Sequence, residues 1–390
     1  MKGIFENECE VEYYPGSEIT PQRVKDADAL IVRTRTKCNA QLLEGSKVKV
    51  IASATIGTDH IDRAWCQSHN IALFNAPGCN SGGVLQYFLT ALFKCLSTRE
   101  LWQKFLNSAP DAGSVAGIDG TAEGAAAATA AEDSAAESAP FTVGVIGVGN
   151  VGSKVAAACE GLGFEVLRND PPKERQQTLA YNSGYLRIVD FKDYYSLDYL
   201  LENSDVVTLH VPLDETTRGM ADANFFARMK PGAIFINSSR GEVVDEAALL
   251  ANIHKLAAVV LDVWIGEPNI NKELLQSAFI ATPHIAGYSA EGKIKGTQMV
   301  VEAIRRYMRD NGLTANTCPA GATPAAAGTC SIPEEQPIPV DFRGKNIDEI
   351  SQMLERIFPI QELSDSLKAN PHTFEEMRNN YNYRHELEIL

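Results

Sequence analysis

The second half of the chain contains three polar residues whose types suit the removal of a hydroxyl proton while a hydride leaves the same carbon. They are Arg240, Glu267 and His284. Each follows a short apolar segment: AIFINSS precedes Arg240, LDVWIG precedes Glu267, and FIATP precedes His284. An imidazole can take the hydroxyl proton, and a guanidinium can hold a carboxylate through paired hydrogen bonds. A glutamate can orient the histidine and fix its tautomer. We therefore predict a site that oxidises or reduces a small 2-hydroxy acid.

A glycine motif earlier in the chain has the spacing of a phosphate-binding turn. The run Gly147-Val148-Gly149-Asn150-Val151-Gly152 follows the apolar segment VGVI and opens a helical pattern. The first glycine permits the tight turn, the second allows a pyrophosphate to approach the backbone, and the third lets helix and strand pack closely. The start of the helix, with the amides of Asn150 and Val151, then favours an anion. This context predicts a dinucleotide site.

An acidic residue after the next predicted strand indicates which dinucleotide is bound. Asp170 lies downstream of Gly152, where a carboxylate can accept hydrogen bonds from both hydroxyls of the adenosine ribose. It would repel a 2′-phosphate, so we predict NAD. Lys173 and Arg175 lie close by and leave NADP open as an alternative.

The elements that must position these residues form an alternating pattern of strands and helices. Six apolar segments with helices between them predict a doubly wound parallel sheet. Because parallel strands end at one shared edge, residues that follow them should lie together. The predicted strands are Phe141–Ile146, Phe164–Asn169, Val206–His210, Ala233–Asn237, Ala258–Asp262 and Phe279–Ala281.

The first hundred residues predict a second, smaller parallel sheet. Its helices include Ile61–Ser68 and a long apolar one at Gly83–Leu96, and a further helix, Glu291–Asp310, runs back toward this region. The predicted strands are Ala29–Arg33, Val48–Ala52 and Ile71–Asn75.

Two segments have a composition that cannot support a packed core. Asn107–Ala139 consists largely of Ala, Gly, Ser, Asp and Glu, and we interpret it as a flexible insertion, with a marginal helix as the alternative. Thr314–Pro339 is rich in Pro, Ala and Thr and is predicted to be a linker. Asn346–Leu390 then shows helical periodicity in a piece too short to be comfortably stable alone.

The overall composition excludes several other classes. The formal net charge of −15 argues against nucleic acid as a partner. The eight cysteines are scattered without metal-ligand spacing, so neither a disulfide framework nor a metal site is predicted. No apolar run is long enough for a transmembrane helix, and the acidic start does not resemble a signal peptide. We expect a cytoplasmic protein.

The motifs GVIGVGNVG, NSSRGEVVDE, LDVWIGEP and TPHIAGYS together resemble the D-isomer-specific 2-hydroxyacid dehydrogenase family. The segments ATIGTDHID, NAPGCNSGGV and FEEMRNNYNYRHE resemble the members that act on 4-phospho-D-erythronate in vitamin B6 biosynthesis. The resemblance covers nearly the whole chain outside the two low-complexity segments. Only Met1–Ile19 precede the part that resembles the first domain, so we expect its opening helix to be short or missing.

The resemblance implies an α/β fold of two Rossmann-like, doubly wound parallel-sheet domains and a small α+β C-terminal domain. Residues 1–106 and 285–313 would bind substrate, 107–139 would be the insertion, and 140–284 would bind NAD. Residues 314–339 would be the linker, and 340–390 would mediate a homodimer.

The resemblance also implies roles for individual residues. Arg240, Glu267 and His284 match the family's catalytic positions, and Asp262 would hold the nicotinamide carboxamide. Substrate would contact Thr34, Thr55 and Tyr288. The remaining positions that match NAD contacts are Gly147, Gly149, Asn150, Val151, Gly152, Asp170, Ser238, Ser239 and Gly287.

The implied reaction is NAD-dependent oxidation of 4-phospho-D-erythronate to 2-oxo-3-hydroxy-4-phosphobutanoate. Arg33 and Arg35 could receive the phosphate, and Arg378 or Arg384 could add charge from a partner subunit. Three alternatives stay open. The first is another 2-hydroxyacid dehydrogenase, acting on 3-phosphoglycerate or hydroxypyruvate, and the second is an NADH-sensing binding protein on the same scaffold. The third is a poorly active remnant of the enzyme that results from the shortened first domain.

Overall fold

The structure is a computed structural model that describes residues 5–6, 9–98, 141–183, 192–312 and 336–390. The predicted insertion Asn107–Ala139 lies outside the described residues, as does the predicted linker up to residue 335. The chain divides into two units. The first comprises the described residues within Met1–Ser81 and Tyr288–Pro337, and the second those within Gly82–Gly287 and Ile338–Leu390.

All paired strands run parallel to their neighbours. The strands are β1 (Ala29–Val32), β2 (Val50–Ser53), β3 (Ala72–Phe74), β4 (Thr142–Ile146), β5 (Glu165–Asn169), β6 (Val206–Leu209), β7 (Ile234–Asn237), β8 (Ala258–Leu261), β9 (Ile280–Ala281), β10 (Ile338–Val340) and β11 (Leu387–Ile389).

The α-helices are α1 (Pro21–Val24), α2 (Ala40–Leu43), α3 (Arg63–Ser68), α4 (Ser81–Thr98), α5 (Gly152–Gly161), α6 (Pro171–Asn182), α7 (Leu197–Asn203), α8 (Ala223–Arg228), α9 (Glu246–Asn252), α10 (Lys272–Ser277), α11 (Ala290–Asp310), α12 (Ile347–Ile357), α13 (Ile360–Ala369) and α14 (Phe374–Asn379). Short 3-10 turns occur at Gly16–Glu18, Gly241–Val243, Ile253–Lys255 and Pro371–Thr373. The predicted parallel α/β architecture is confirmed.

The first unit contains a three-stranded sheet in the order β1-β2-β3 that is covered on both faces. Side chains alternate across a strand. Leu30 and Val32 therefore pack in one apolar cluster with Leu42 and Leu43 of α2. Ile31 of the same strand belongs to the other cluster, in which helix α11 contributes residues that include Val300 and Ile304. This sheet consequently has apolar residues on both sides, as parallel sheets require.

The second unit contains the six-stranded sheet predicted from the sequence, in the order β5-β4-β6-β7-β8-β9. Strand β4 pairs with β5 on one side and with β6 on the other. The chain therefore builds outward in one direction and then in the other, and β4 and β6 flank the switch point. Ligands of doubly wound sheets bind outside the carboxyl ends of the strands at such a point.

The segment Ile338–Leu390, called the tail below, packs within the second unit. Strand β10, which begins inside the range predicted as linker, pairs with β11. Leu367 of α13 and Phe374 of α14 are fully buried in the same apolar cluster as residues of β7 and β8. The Ala281 amide of edge strand β9 donates to Ser364 Oγ of α13 at 3.0 Å. The tail thus protects an edge of the sheet that would otherwise carry unpaired amides.

Candidate active site

The glycine turn after β4 has the close packing that its spacing predicts. Gly147 has φ +84°, and a Cβ there would lie 2.7 Å from the His210 carbonyl oxygen at the end of β6. A Cβ on Gly152 would overlap the Gly147 carbonyl oxygen, so α5 can begin this close to the turn only with glycine. A Cβ on Gly149, by contrast, would meet no atom within 4 Å. The turn therefore has open space beside its middle glycine and a helix start behind it.

This open space is what a pyrophosphate needs at a helix N-terminus. Asn150 is exposed and Val151 half-buried, both immediately before the first turn of α5. The residues present at the switch point therefore fit a dinucleotide.

Asp170 at the end of β5 is tied to this turn. Its Oδ2 accepts a hydrogen bond from the Val148 amide at 2.8 Å, and its Oδ1 accepts one from the Lys173 amide at 3.0 Å as the N-cap of α6. Each carboxylate oxygen can accept more than one hydrogen bond, so both can still receive a ribose hydroxyl. The side chains of Lys173 and Arg175 are in the exposed first part of α6. The fixed carboxylate fits NAD better than NADP.

His284 and Glu267, which come from loops after different strands, are in contact. His284 Nδ1 lies 2.8 Å from Glu267 Oε2 and 3.1 Å from Oε1. A carboxylate accepts hydrogen bonds only, so the proton on this side of the ring belongs to Nδ1. Nε2 is then left with a lone pair that can take a proton from a substrate.

The environment of Glu267 keeps it ionised. Burial acts to raise its pKa, but the charge and the hydrogen bond of His284, the charge of Arg378 and the Trp264 amide outweigh burial and lower it. The Trp264 amide donates to Glu267 Oε1 at 3.1 Å, which also fixes the carboxylate's position. Glu267 therefore stays negatively charged beside His284.

The backbone at His284 has a left-handed conformation, with φ +56°. The turn is fixed by Asp262, which is buried at the end of β8. The Asp262 carbonyl accepts from the His284 amide at 2.7 Å, and its carboxylate accepts from the amides of Ile285 and Ala286 at 2.8 Å each and from the Thr282 hydroxyl at 2.7 Å. Burial raises the pKa of Asp262, although these bonds and His284 oppose the shift.

Arg240 lies in the turn after β7, next to the loop that carries Glu267. A side chain at Gly241 would overlap the Trp264 backbone, so glycine is required for the two loops to lie this close. Asn237 shapes the turn: its Oδ1 accepts from the Ser239 amide and hydroxyl, and its Nδ2 donates to the Arg240 carbonyl. Ser238 Oγ has no hydrogen-bond partner within the described chain.

Two tail arginines, which the sequence suggested as charges from a partner subunit, contact residues of this chain's own site. Arg378 Nη1 lies 3.6 Å from Glu267 Oε2. Arg384, only 7% exposed, donates to the carbonyl oxygens of Ile285 and Ala286. These contacts lie within one chain, and a contribution of either arginine to a partner subunit stays a prediction. No local pattern links residues so distant in sequence, and only the docking of the tail brings them here.

The residues predicted to contact substrate lie in the first unit, whereas the residues predicted to catalyse lie in the second. Thr34 and Thr55 follow β1 and β2, whose ends are paired at Val32 and Ser53, so they share the carboxyl edge of that sheet. Thr55 Oγ1 lies 2.7 Å from Ser53 Oγ. Tyr288 directly follows Gly287, the last residue before the chain enters the first unit again.

The part of the chain that the structure describes has neither a metal-binding cluster nor a membrane-spanning helix. No His, Cys, Asp and Glu side chains there are grouped so as to hold a metal ion. None of the described helices is long and apolar enough to span a membrane.

Comparison with known proteins shows which family this chain belongs to. The NAD-binding domain of the D-isomer specific 2-hydroxyacid dehydrogenases matches residues 119–286. An erythronate-4-phosphate dehydrogenase of Bacteroides thetaiotaomicron is 38% identical over 383 residues, which cover 97% of this chain and 91% of that protein.

Solved structures of NAD-bound dehydrogenases have a similar fold. The D-lactate dehydrogenase of Aquifex aeolicus, complexed with NAD and lactic acid, is similar at TM-score 0.56 and 26% identity, covering 76% of this chain and 87% of that chain. The NAD⁺-bound 3-phosphoglycerate dehydrogenase of Entamoeba histolytica is similar at TM-score 0.55 and 25% identity, covering 77% and 85%.

Proposed function

The chain belongs to the erythronate-4-phosphate dehydrogenases, within the D-isomer-specific 2-hydroxyacid dehydrogenase family, and on this premise we propose that it oxidises 4-phospho-D-erythronate with NAD. The product is 2-oxo-3-hydroxy-4-phosphobutanoate, and this oxidation is a step of vitamin B6 biosynthesis. The choice of substrate rests on relatives that match almost the full chain. The chemistry rests on one observation, the 2.8 Å contact between His284 and Glu267 in the unit that also contains the glycine turn.

In the proposed reaction, His284 is the base. Its Nε2 takes the proton of the 2-hydroxyl group while Nδ1 stays bonded to Glu267, whose charge stabilises the imidazolium that forms. Arg240 holds the substrate carboxylate and polarises the oxygen that becomes a carbonyl. When bound, NAD supplies the acceptor for the hydride from the carbon that carries this hydroxyl.

The proposed NAD contacts follow from where the residues lie. The turn from Gly147 to Gly152 receives the pyrophosphate, and Asp170 the adenosine ribose. Asp262, which follows β8 and accepts hydrogen bonds from the amides of the His284 loop, is proposed to hold the nicotinamide carboxamide. We assign the remaining contacts to Ser238, Ser239 and Gly287.

Substrate recognition is assigned to the first unit. Thr34, Thr55 and Tyr288 are proposed to contact the substrate, and Arg33 to receive its phosphate. Arg33 is half-buried beside Thr34 at the carboxyl edge of the sheet, whereas Arg35 is exposed. Arg33→Ala is then expected to raise KM for the phosphorylated substrate with little change in KM for NAD, and Arg35→Ala serves as its neighbour control.

We further propose a homodimer that works in the cytoplasm, with residues 340–390 in the dimer interface and without nucleic acid. Light scattering during size-exclusion chromatography measures the mass directly, and a monomer at micromolar concentration would refute the dimer.

The test of function compares substrates. NADH formation is measured with 4-phosphoerythronate, 3-phosphoglycerate and lactate side by side, with and without a 2-oxo acid that could reoxidise bound NADH. We expect a clear preference for 4-phosphoerythronate in kcat/KM. Preference for another acid would assign the chain to a different dehydrogenase. No oxidation of any, with NAD still bound, would favour the NADH-sensing alternative.

A further inference from the structure

Arg378 places a second charge against the catalytic pair. It lies on α14 of the tail, its side chain is 15% exposed, and its Nη1 is 3.6 Å from Glu267 Oε2. The same nitrogen lies 3.7 Å from Oε1 of Glu375, one turn earlier and 44% exposed. Arg378 therefore stands between the carboxylate of the catalytic pair and a carboxylate nearer to solvent.

The part of the tail that follows α14 is fixed to the loop after His284. Arg384 donates to the carbonyls of Gly83, Ile285 and Ala286, and its Nε donates to Gln86 Oε1 of α4. Its guanidinium also lies 4.1 Å from the ring centre of Phe358. These contacts join the tail to the residues whose amides bind Asp262, so the position of α14 relative to His284 is set by buried hydrogen bonds.

We propose that Arg378 is a positioning residue that sets the pH range in which the His284–Glu267 pair can accept the substrate proton. The proposal deepens the function proposed above and rests on it for the identity of the substrate. A guanidinium stays charged at all relevant pH values. Its field favours an ionised Glu267 and opposes the uptake of a second positive charge by the pair.

Other charged groups act on the same pair and must be counted. Asp262, after β8, favours a protonated histidine, and Glu375 partly offsets Arg378. Arg384 adds positive charge behind the His284 loop, and Glu246 of α9 accepts from the Ile265 amide two residues before Glu267. Of these, Arg378 is the cation that directly contacts the carboxylate of the pair.

Two substitutions should move the acid limb of kcat/KM in opposite directions along the pH axis. Arg378→Gln removes a positive charge, so the pair should keep its proton to higher pH and the acid limb of kcat/KM should move to higher pH. Glu375→Gln removes a negative charge, so the limb should move the opposite way, by less because this side chain is more exposed. Arg378→Lys should stay close to the parent enzyme.

The experiment follows the imidazole titration by NMR in the protein without substrate, with the His284 signal assigned by its absence in a His284→Asn variant. The acid limb of kcat/KM for 4-phosphoerythronate is measured in parallel. We expect Arg378→Gln to raise both midpoints by about 0.5–1 pH unit and Glu375→Gln to lower them. Arg356→Gln, an exposed tail arginine, is the matched control and should move neither.

The results distinguish an error in the role proposed for Arg378 from an error in the proposed substrate. Loss of kcat at every pH with unmoved midpoints would mean that Arg378 is only structural and would overturn the proposal. If Arg378→Gln does not fold, Glu375→Gln decides, since an unmoved midpoint there would also overturn it. Because the NMR titration needs no turnover, a parent enzyme inactive on 4-phosphoerythronate would refute the proposed substrate while leaving this test intact.

Discussion

His284 combines a chemical role with an uncommon backbone conformation. Its φ of +56° lies in a region that residues other than glycine seldom adopt, although asparagine, aspartate and histidine adopt it more often than the rest. The conformation persists because Asp262 accepts hydrogen bonds from the amides of His284, Ile285 and Ala286. An alanine at 284 would therefore change both the base and the strain of the turn. Asparagine tolerates the left-handed region and isolates the chemical role.

His284→Asn should lower kcat by about 10²–10⁴-fold, the usual contribution of a positioned acid–base group. The dissociation constant for NAD should change little, since the turn at Gly147–Gly152 is untouched. Kinetics with 4-phosphoerythronate and NAD titration by fluorescence measure the two quantities. A kcat close to that of the parent enzyme would show that His284 is not the base.

The residue types around the site were predictable, but some of their partners were not. The pairing of His284 with Glu267 followed from their positions after strands of one parallel sheet. Asp170 was predicted to face the ribose, but its bond to the Val148 amide depends on the exact turn geometry. Arg378 and Arg384 could not be placed, because their contacts depend on how the tail docks.

At the scale of elements, a glycine is required where helix α5 begins against the turn that follows strand β4. A Cβ on Gly152 would overlap the Gly147 carbonyl, whereas one on Gly161, at the other end of the same helix, would meet no atom within 4 Å. An alanine at position 152 therefore tests the close packing, and an alanine at position 161 tests only the general effect of alanine on helix stability.

Gly152→Ala should push α5 away from the turn and weaken NAD binding by at least about tenfold, with a lower Tm, since overpacking typically costs 1–3 kcal/mol. Gly161→Ala should bind NAD normally and leave Tm equal or higher, because alanine is the better helix former. Calorimetric titration and thermal unfolding check both. Equal NAD affinities in the two variants would contradict the assigned packing.

Most elements were predictable because their periodicity is strong. The predicted strands of both sheets overlap the observed ones, and the helices Gly83–Leu96 and Glu291–Asp310 correspond to α4 and α11. Strand β10 was missed, and its first two residues were assigned to the linker 314–339. Its three residues, one of them Pro339, are too few to show the alternation of a strand.

At the scale of the whole molecule, the tail shares its core with the NAD-binding sheet. Leu367 has 0% exposure and lies in one cluster with the buried residues of β7 and β8, such as Phe235. The tail and that sheet also belong to the same compact unit. The tail should therefore unfold together with the sheet.

Leu367→Ala should lower the free energy of unfolding of the second unit by about 2–5 kcal/mol, the usual cost of truncating a fully buried leucine. Leu179→Ala, at a position 67% exposed on α6, is the matched control and should have little effect. Thermal unfolding followed by near-ultraviolet circular dichroism gives the comparison. A separate early transition of the tail, with the sheet unaffected, would contradict a shared core.

The most direct test of the proposed chemistry follows the hydrogen on the carbon that carries the 2-hydroxyl group. 4-Phospho-D-erythronate is prepared with deuterium at this carbon and incubated with the protein and NAD, and the cofactor is analysed by mass spectrometry. The account predicts that the reduced cofactor carries the deuterium. Reduced cofactor without the label, or label released to water, would contradict hydride transfer from this carbon.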